Sequence, residues 1–252
     1  RESEVESWNG SSWTEVADLN SARCFLVGSG ASNTAAIAYG GSEANPSQTG
    51  KTESWDGSSW TEVNDLNTAR RYLAGTPGSP YTASLAFGGY PTGGSPNAQT
   101  ESWNGSSWTE VNDLNTSRGI LNGSGIQTAA LAFGGYTTTY VANTESWNGS
   151  SWTEVNDMSR PNGRGSMQGV GTTTASLAAG GSPPISALTE DWNGSSWSET
   201  TDLPTGVSSA GGIGSSTSAF IANGRQGPSS AISVNAYEWD STSNTTKTIS
   251  TD

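Results

Sequence analysis

The amino-acid sequence predicts an all-β repeat protein, a single closed array of short four-stranded antiparallel units spanning residues 1–252. Three observations predict it. The stretch ESWNGSSWTEV at residues 6–16 returns nearly unchanged at 53–63, 101–111 and 145–155, weakened at 190–200, and as a trace at Tyr237-Glu238-Trp239. The first Trp of each copy stands at 8, 55, 103, 147, 192 and 239, in steps of 47, 48, 44, 45 and 47 residues. A fixed period of that size marks a repeat architecture. Between copies, short apolar runs alternate with clusters of Gly, Pro, Asn and Ser, the pattern of strands and turns. One such unit cannot bury its apolar face alone, so the units must stack into one array.

The second repeat serves as the type. Residues 70–75 form a candidate strand a, and residues 83–87 form strand b, which stops at Gly88-Gly89. A loop rich in Pro and Gly leads to strand c, residues 100–103. The turn Asn104-Gly105-Ser106-Ser107 reverses the chain into strand d, residues 108–111. Gly accepts positive φ without strain, so a Gly in a short link between two such runs is a hairpin signal. That hairpin sets Trp103 opposite Trp108. Strand b recurs as Ala36-Ile37-Ala38-Tyr39, Ala130-Leu131-Ala132-Phe133, Ser176-Leu177-Ala178-Ala179 and Ala219-Phe220-Ile221-Ala222. A Gly-Gly pair follows the first three, and Asn223-Gly224 follows the last. After each strand d comes an acid and an apolar residue: Asp18-Leu19, Asp65-Leu66, Asp113-Leu114, Asp157-Met158 and Asp202-Leu203. The apolar member is expected to plug the interface where the chain crosses to the next sheet.

A Gly-Gly pair ending strand b, an aromatic in strand c, a Trp in strand d and a loop closing with Arg together resemble the kelch repeat, over essentially the whole chain. Trp stands in strand c where kelch repeats usually carry Tyr. The Arg is present as Arg23, Arg70 and Arg118, displaced in the fourth repeat (Arg160, Arg164) and missing from the fifth. The resemblance implies a five-bladed β-propeller with four-stranded blades around a central channel. Strands c and d are supplied at both ends of the chain, so closure is expected by pairing of N- and C-terminal strands. In that arrangement the N-terminal stretch 4–16 gives strand d of the last blade and the C-terminal stretch gives strand c. Near-identical repeats rich in Asn, Ser and Thr also resemble predicted kelch-like proteins of marine bacteriophages.

Composition limits the function. Hydrophobic residues make up 31% of the chain, below the usual ~45–50%, so the core must be built from a few large aromatics beside Ala and Gly. The formal net charge is −13, from 23 acidic and 10 basic residues. A surface that acidic repels nucleic acid and anionic membranes. No run approaches the ~20 apolar residues of a membrane helix. The chain has no His, which removes the commonest general base, the commonest zinc ligand and every Ser-His or Cys-His pair. A copper-dependent oxidase family among kelch-like propellers needs His ligands, so that likeness stops at the fold. The single cysteine, Cys24, sits in an apolar run and reads as a small core residue. The carboxylates repeat with the blade, as scaffold positions do. No enzyme activity and no resident cofactor are expected.

Three sets of residues remain as candidate sites. Asp18, Asp65, Asp113, Asp157 and Asp202 lie in the crossings after strand d, where they bond the local backbone as Asx turns or, in a sharper reading, supply oxygen ligands to Ca²⁺. Arg23, Arg70 and Arg118 are placed beside those Asp at the channel mouth, either paired with them or binding an anionic or sugar ligand. Tyr90, Tyr136 and Tyr140 stand in or beside the b–c loops, which differ between repeats (42–51, 90–98, 136–143, 182–188 and 225–233) while the frame does not, as binding faces on rigid scaffolds do. The Asn-Gly-Ser turns at Asn9, Asn104, Asn148 and Asn193 match glycosylation sequons, though their turn role already explains them. The leading expectation is a non-catalytic protein of a virion or the extracellular space, serving in decoration, fibre or host adhesion. Its partner there would be a protein of the assembly or a glycan. A carbohydrate-binding lectin and a protein-interaction scaffold are the alternatives.

Overall fold

The computed structural model describes residues 2–43, 47–160, 163–222, 224–226, 231–232, 236–241 and 245–249. Asn223, Asn244 and parts of the loops at 42–51 and 225–233, to which the sequence assigns roles, lie outside the described residues. The chain divides into two compact units, residues 1–119 and 120–252. Among the described residues there is no helix, and so none long and apolar enough to cross a membrane.

The first unit opens with a two-stranded hairpin, β1 (Val5–Trp8) and β2 (Trp13–Val16). The first four-stranded sheet follows: β3 (Val27–Ser32), β4 (Ala35–Tyr39), β5 (Thr52–Trp55) and β6 (Trp60–Val63). The next six strands are β7 (Arg70–Arg71), β8 (Ala74–Gly75), β9 (Ser84–Phe87), β10 (Tyr90–Pro91), β11 (Thr100–Trp103) and β12 (Trp108–Val111). Of these, β8, β9, β11 and β12 form the second sheet, and β7 pairs with β10.

In the second unit, β13 (Asn122–Ile126), β14 (Ala129–Phe133), β15 (Thr144–Trp147) and β16 (Trp152–Val155) form the third sheet. The fourth consists of β17 (Gln168–Gly171), β18 (Ser176–Ala179), β19 (Thr189–Trp192) and β20 (Trp197–Glu199). The last repeat holds β21 (Val207–Ser208), β22 (Gly211–Gly214), β23 (Ser218–Ala222), β24 (Arg225–Gln226), β25 (Ala231–Ile232), β26 (Ala236–Asp240) and β27 (Thr245–Ile249). Here β22, β23, β26 and β27 make the fifth sheet, while β21, β24 and β25 form a small three-stranded one. All pairings are antiparallel, and each four-stranded sheet runs a-b-c-d in chain order.

The c–d hairpins follow the sequence expectation residue for residue. Trp55 faces Trp60, Trp103 faces Trp108, Trp147 faces Trp152 and Trp192 faces Trp197, with ring centroids 5.3–5.4 Å apart. Such tilted pairs contribute roughly 0.5–1.5 kcal/mol each beyond their buried area. In the connecting turn, Asn104 Oδ1 accepts from the amides of Ser106 and Ser107 at 3.0 and 2.9 Å, and Gly105 takes φ +92°. The residue of strand b opposite the strand c Trp is always small: Ala36, Ser84, Ala130, Ser176 and Ala219. A large side chain there would collide with the indole. Hence a chain so low in hydrophobic residues can still fill its core.

Leu66, Met158 and Leu203, each the apolar residue after a strand d, do plug an interface. Leu66 packs with Ile37 and Tyr39 of the first sheet and with Leu73, Ala86, Trp103 and Trp108 of the second. Met158 does the same among Leu131, Phe133, Met167, Ala178, Trp192 and Trp197. Burying one such side chain fully stabilises the fold by about 1.5–3 kcal/mol.

The Gly-Gly pairs have a definite cause. Gly40 and Gly41 adopt φ +68° and +103°, and Gly41 N donates to the carbonyl of Arg70 in the following repeat at 2.9 Å. A Cβ on Gly40 would stand 2.9 Å from that same oxygen. Gly135 N repeats the bond to Arg164 O, and Gly181 N to Val207 O.

Three expectations are corrected. Strand a of the second repeat is not continuous over 70–75: Tyr72 takes φ +54° and breaks it into β7 and β8. Strand d of the fifth sheet does not come from the N-terminal stretch. It is β27, from the C-terminal stretch, whose alternating residues pair with β26 from Ala236↔Ile249 to Asp240↔Thr245. The N-terminal strands form a hairpin of their own. Cys24 is half-buried rather than a core residue, and its backbone bridges to Ser42.

Candidate functional site

The arginines that open strand a are interior. Arg23, Arg70, Arg118 and Arg164 are all buried. The ion-pair partners of Arg23, Arg70 and Arg164 are not the Asp of the crossings. Arg23 Nη2 lies 2.8 Å from Glu53 Oε1, Arg70 Nη2 3.2 Å from Glu101 Oε1, and Arg164 Nη2 3.0 Å from Glu190 Oε1. Each Glu is the second residue of strand c in the same repeat, and each is buried. The other guanidinium nitrogen of Arg164 donates to the carbonyls of Gly180 and Leu188, both at 2.8 Å. Burial pulls the pKa of Arg23, Arg70 and Arg164 down, against the carboxylates that hold the charge in place.

A third group completes each pair. Asn20, in the crossing that precedes the first sheet, donates its amide N and its Nδ2 to Glu53 Oε2 at 2.7 and 2.8 Å, and Nδ2 also reaches Trp60 O. Asn67 does the same to Glu101 and Trp108 O. Ser159 donates its amide N to Glu190 Oε2 at 2.7 Å and its Oγ to Trp197 O at 3.0 Å. A buried carboxylate with a cation and a further donor, two in the case of Glu53 and Glu101, is a satisfied structural group. Arg23, Arg70 and Arg164 are therefore engaged with carboxylates of their own repeats, and Arg118 is buried, which corrects the placement of Arg23, Arg70 and Arg118 as exposed anion ligands.

The Asp residues have a structural task too, and it is not a local Asx turn. Asp65 Oδ1 accepts from the amide of Thr52, 13 residues earlier, at 3.1 Å. Asp113 takes the amide of Thr100, Asp157 that of Thr144 and Asp202 that of Thr189, all at 3.1 Å. Each fixes the start of strand c. Asp18, just after the N-terminal hairpin, accepts from Ser3 Oγ at 3.5 Å. Among the described residues no three His, Cys, Asp or Glu side chains are grouped closely enough to hold a metal ion.

In the fifth repeat this network is replaced as a set. Val207 stands at the Arg position, Tyr237 at that of the strand c Glu and Pro204 at that of the Asn or Ser. Val207 and Tyr237 pack with Leu203, Ile221 and Ala179, and Tyr237 Oη is reached by Gln226 Nε2 at 2.7 Å. An apolar pair thus occupies the place of an ion pair.

With the repeated charges engaged, the surface aromatics stand out. Phe25 and Tyr72 hold the same position, two residues after the Arg, and both adopt left-handed φ (+60° and +54°). Ile120, Ser166 and Ser209 repeat that conformation in the other three repeats. A left-handed conformation costs a non-Gly residue about 1–2 kcal/mol, and such strain gathers at functional sites and turns. Tyr72 N donates to Phe25 O at 3.2 Å, and the two rings stack with centroids 4.0 Å apart and planes 24° apart. Tyr90 meets Tyr72 edge-on at 6.1 Å, and the Arg71 guanidinium lies 5.5 Å from the centre of the Tyr72 ring. Tyr90 itself packs on Gly119, where a Cβ would fall 2.2 Å from its ring. Phe25 remains 37% exposed, an open ring on a rigid support.

Of the loop tyrosines, Tyr90 joins this cluster. In the second unit, Tyr136 and Tyr140 form an edge-on pair at 5.1 Å, and burial pushes the Tyr140 phenol up. Phe25 and Tyr72 were not singled out from sequence. Their signal was the aromatic two residues after Arg23 and Arg70, which reads as strand interior until the left-handed backbone turns it outward.

The second unit also holds a polar cleft of about 250 Å³ lined by Asp191, Ser198, Glu199, Ser216, Thr217 and Trp239, among others. Asp191 replaces the Ser found at Ser7, Ser54, Ser102 and Ser146, and burial raises its pKa.

No family model matches the chain, and no curated protein matches it in sequence. The solved structure of YjhT superposes with a TM-score of 0.79 at 11% identity, covering 96% of this chain and 89% of that one. At that identity the likeness speaks for the fold alone. Together with the five four-stranded antiparallel sheets it defines the chain as a five-bladed β-propeller.

Proposed function

We propose that this propeller is a non-catalytic binding module that meets its partner through the aromatic surface of Phe25, Tyr72 and Tyr90. The observation that carries the proposal is the stacked Phe25–Tyr72 pair, strained at both backbones and open at one ring face. The position is aromatic in two repeats and Ile or Ser in the others, which favours a single contact surface over one equivalent site per blade. No Ca²⁺ is required in this reading, because the Asp residues are occupied with backbone amides. The kelch-like repeat and the polar, acidic composition support a virion-associated or extracellular role in decoration or host adhesion. They equally disfavour nucleic acid and membrane insertion as partners.

A glycan partner is the second reading, supported by the exposed ring of Phe25 stacked on Tyr72, over whose ring the Arg71 guanidinium lies, since aromatic faces stack on sugar rings as they do on protein partners. A glycan array with the purified chain, run with Ca²⁺ and again with EDTA, separates the two. A blank array on folded protein leaves the protein contact. Saturable binding that Phe25→Ala abolishes and EDTA spares supports the glycan. Immunolabelling of particles and culture fluid tests the location, and recovery only from inside cells overturns it.

A further inference from the structure

The polar cleft of about 250 Å³ in the second unit lies where the repeat changes its residues. The c–d hairpin of the fourth sheet reads EDWNGSSWSET at residues 190–200, against ESWNGSSWTEV in the standard copies. It departs from them at three positions, with Asp191 for Ser, Ser198 for Thr and Thr200 for Val. All three line the cleft. The register sets Asp191 opposite Ser198, and the amide of Thr200 continues the ladder to Thr189 O at 3.0 Å. With side chains alternating along each strand, the three share one face of the sheet.

The fifth sheet changes with them. Thr246 stands opposite Trp239, where Trp60, Trp108, Trp152 and Trp197 stand opposite the Trp of their own strand c. Elsewhere the strand d indole and the Val share an apolar contact region: Val63 packs against the cluster that holds Trp108, and Val155 against the one that holds Trp197. Between the fourth and fifth sheets the Val has become Thr200 and the indole is gone. A polar cleft takes the place of that contact, lined further by Ser216, Thr217 and Trp239.

We infer that this cleft binds an amino sugar, with Asp191 holding the protonated amine and the Ser and Thr hydroxyls meeting those of the ring. Its volume falls below the ~300–1,000 Å³ of a drug-sized site and suits a single ring. Among the described residues no cation pairs with Asp191, and burial raises its pKa, so a bound ammonium supplies the charge that the carboxylate lacks. Hydroxyl side chains both donate and accept, as the hydroxyls of a sugar do. Trp239 is fixed by the bond from its Nε1 to Ser216 O at 2.9 Å and gives the cleft an apolar wall. The lining residues all belong to the second unit, so this site does not depend on Phe25, Tyr72 and Tyr90 of the first.

The probe is glucosamine, titrated into the isotopically labelled whole chain and followed by amide chemical shifts. The expected result is saturable shifts at Asp191, Ser198, Thr200 and Thr217 with a Kd on the order of 1 mM. N-Acetylglucosamine, the same ring without the charge, should bind about tenfold more weakly. Asp191→Ser restores the residue of the other repeats, so the fold should persist while glucosamine affinity falls about tenfold. A fully deacetylated trimer of the same sugar separates the sources of the ligand. Affinity at or above that of the monomer assigns the site to a glycan, and a tenfold loss assigns it to the free sugar. Equal binding of N-acetylglucosamine, affinity that survives Asp191→Ser, or no shift by about 10 mM glucosamine overturns the proposal. Calcium chloride that alone gives the same shifts at lower concentration also overturns it, by assigning the cleft to a metal ion.

Discussion

Trp108 Nε1 donates to Thr52 Oγ1 over 3.1 Å, tying strand d of the second sheet to strand c of the first. Trp197 makes the same bond to Thr144 at 3.0 Å. The position equivalent to Thr52 in the hairpin is Val5, and Trp60 Nε1 is buried with no acceptor. Val5→Thr should supply it. The expected gain is about 1 kcal/mol in urea unfolding, and it should vanish in a Trp60→Phe background. A gain that survives Trp60→Phe would mean the hydroxyl acts elsewhere.

The Arg–Glu pairs should be strongly coupled. Arg70→Val alone leaves Glu101 buried without its cation and should cost about 3–5 kcal/mol. Arg70→Val with Glu101→Tyr and Asn67→Pro copies the set at Val207, Tyr237 and Pro204, and should recover most of that loss. A triple variant as unstable as the sum of its parts would show that the fifth repeat tolerates the apolar set for some other reason.

Asp56 stands where the other turns have Asn, and the hydroxyl of Ser58, followed by the amides of Ser59 and Ser58, holds its carboxyl down to about 2. A depressed pKa contributes stability that is present above the ordinary carboxylate value of about 3.9 and is lost as pH falls through about 2. An NMR titration should find Asp56 among the last carboxylates to protonate. Asp56→Asn should leave stability at neutral pH unchanged, since Asn104 makes the same turn bonds.

Ser209 is exposed at φ +55°. Its amide donates to Ser166 O at 2.8 Å, a bond that Gly retains. Ser209→Gly removes the left-handed penalty of about 1–2 kcal/mol at a smaller entropic cost, so thermal unfolding should shift upward by a few degrees.

The c–d hairpins were legible because everything that fixes them is local: two aromatics, an Asn-Gly turn and a period of two. The plugging role of Leu66 and Met158 was legible for the same reason. What could not be read was which carboxylate each Arg would meet. Asp65 is near Arg70 in sequence, yet Glu101 lies 31 residues on and arrives through the b–c register. The aromatic surface was hidden because Phe25 and Tyr72 occupy a backbone conformation that sequence rules reserve for Gly or Asn. Closure went astray because β27 lacks the Trp of the other d strands, and Thr and Ile supplied the pairing instead.

The reach of Asn20 to Glu53 and of Asn67 to Glu101 has a consequence for how such a gene can change. Each repeat carries a donor that fits the repeat after it and an acceptor that fits the one before. Duplication or loss of one whole unit at such a junction leaves it matched, so near-identical copies can be gained by recombination without new compensating mutations. The junction built from Pro204, Val207 and Tyr237 is private to one place in the chain. A standard unit inserted there would bring a buried Glu against Pro204, with no side-chain donor to meet it, and copy number should therefore be free to vary everywhere except at that boundary.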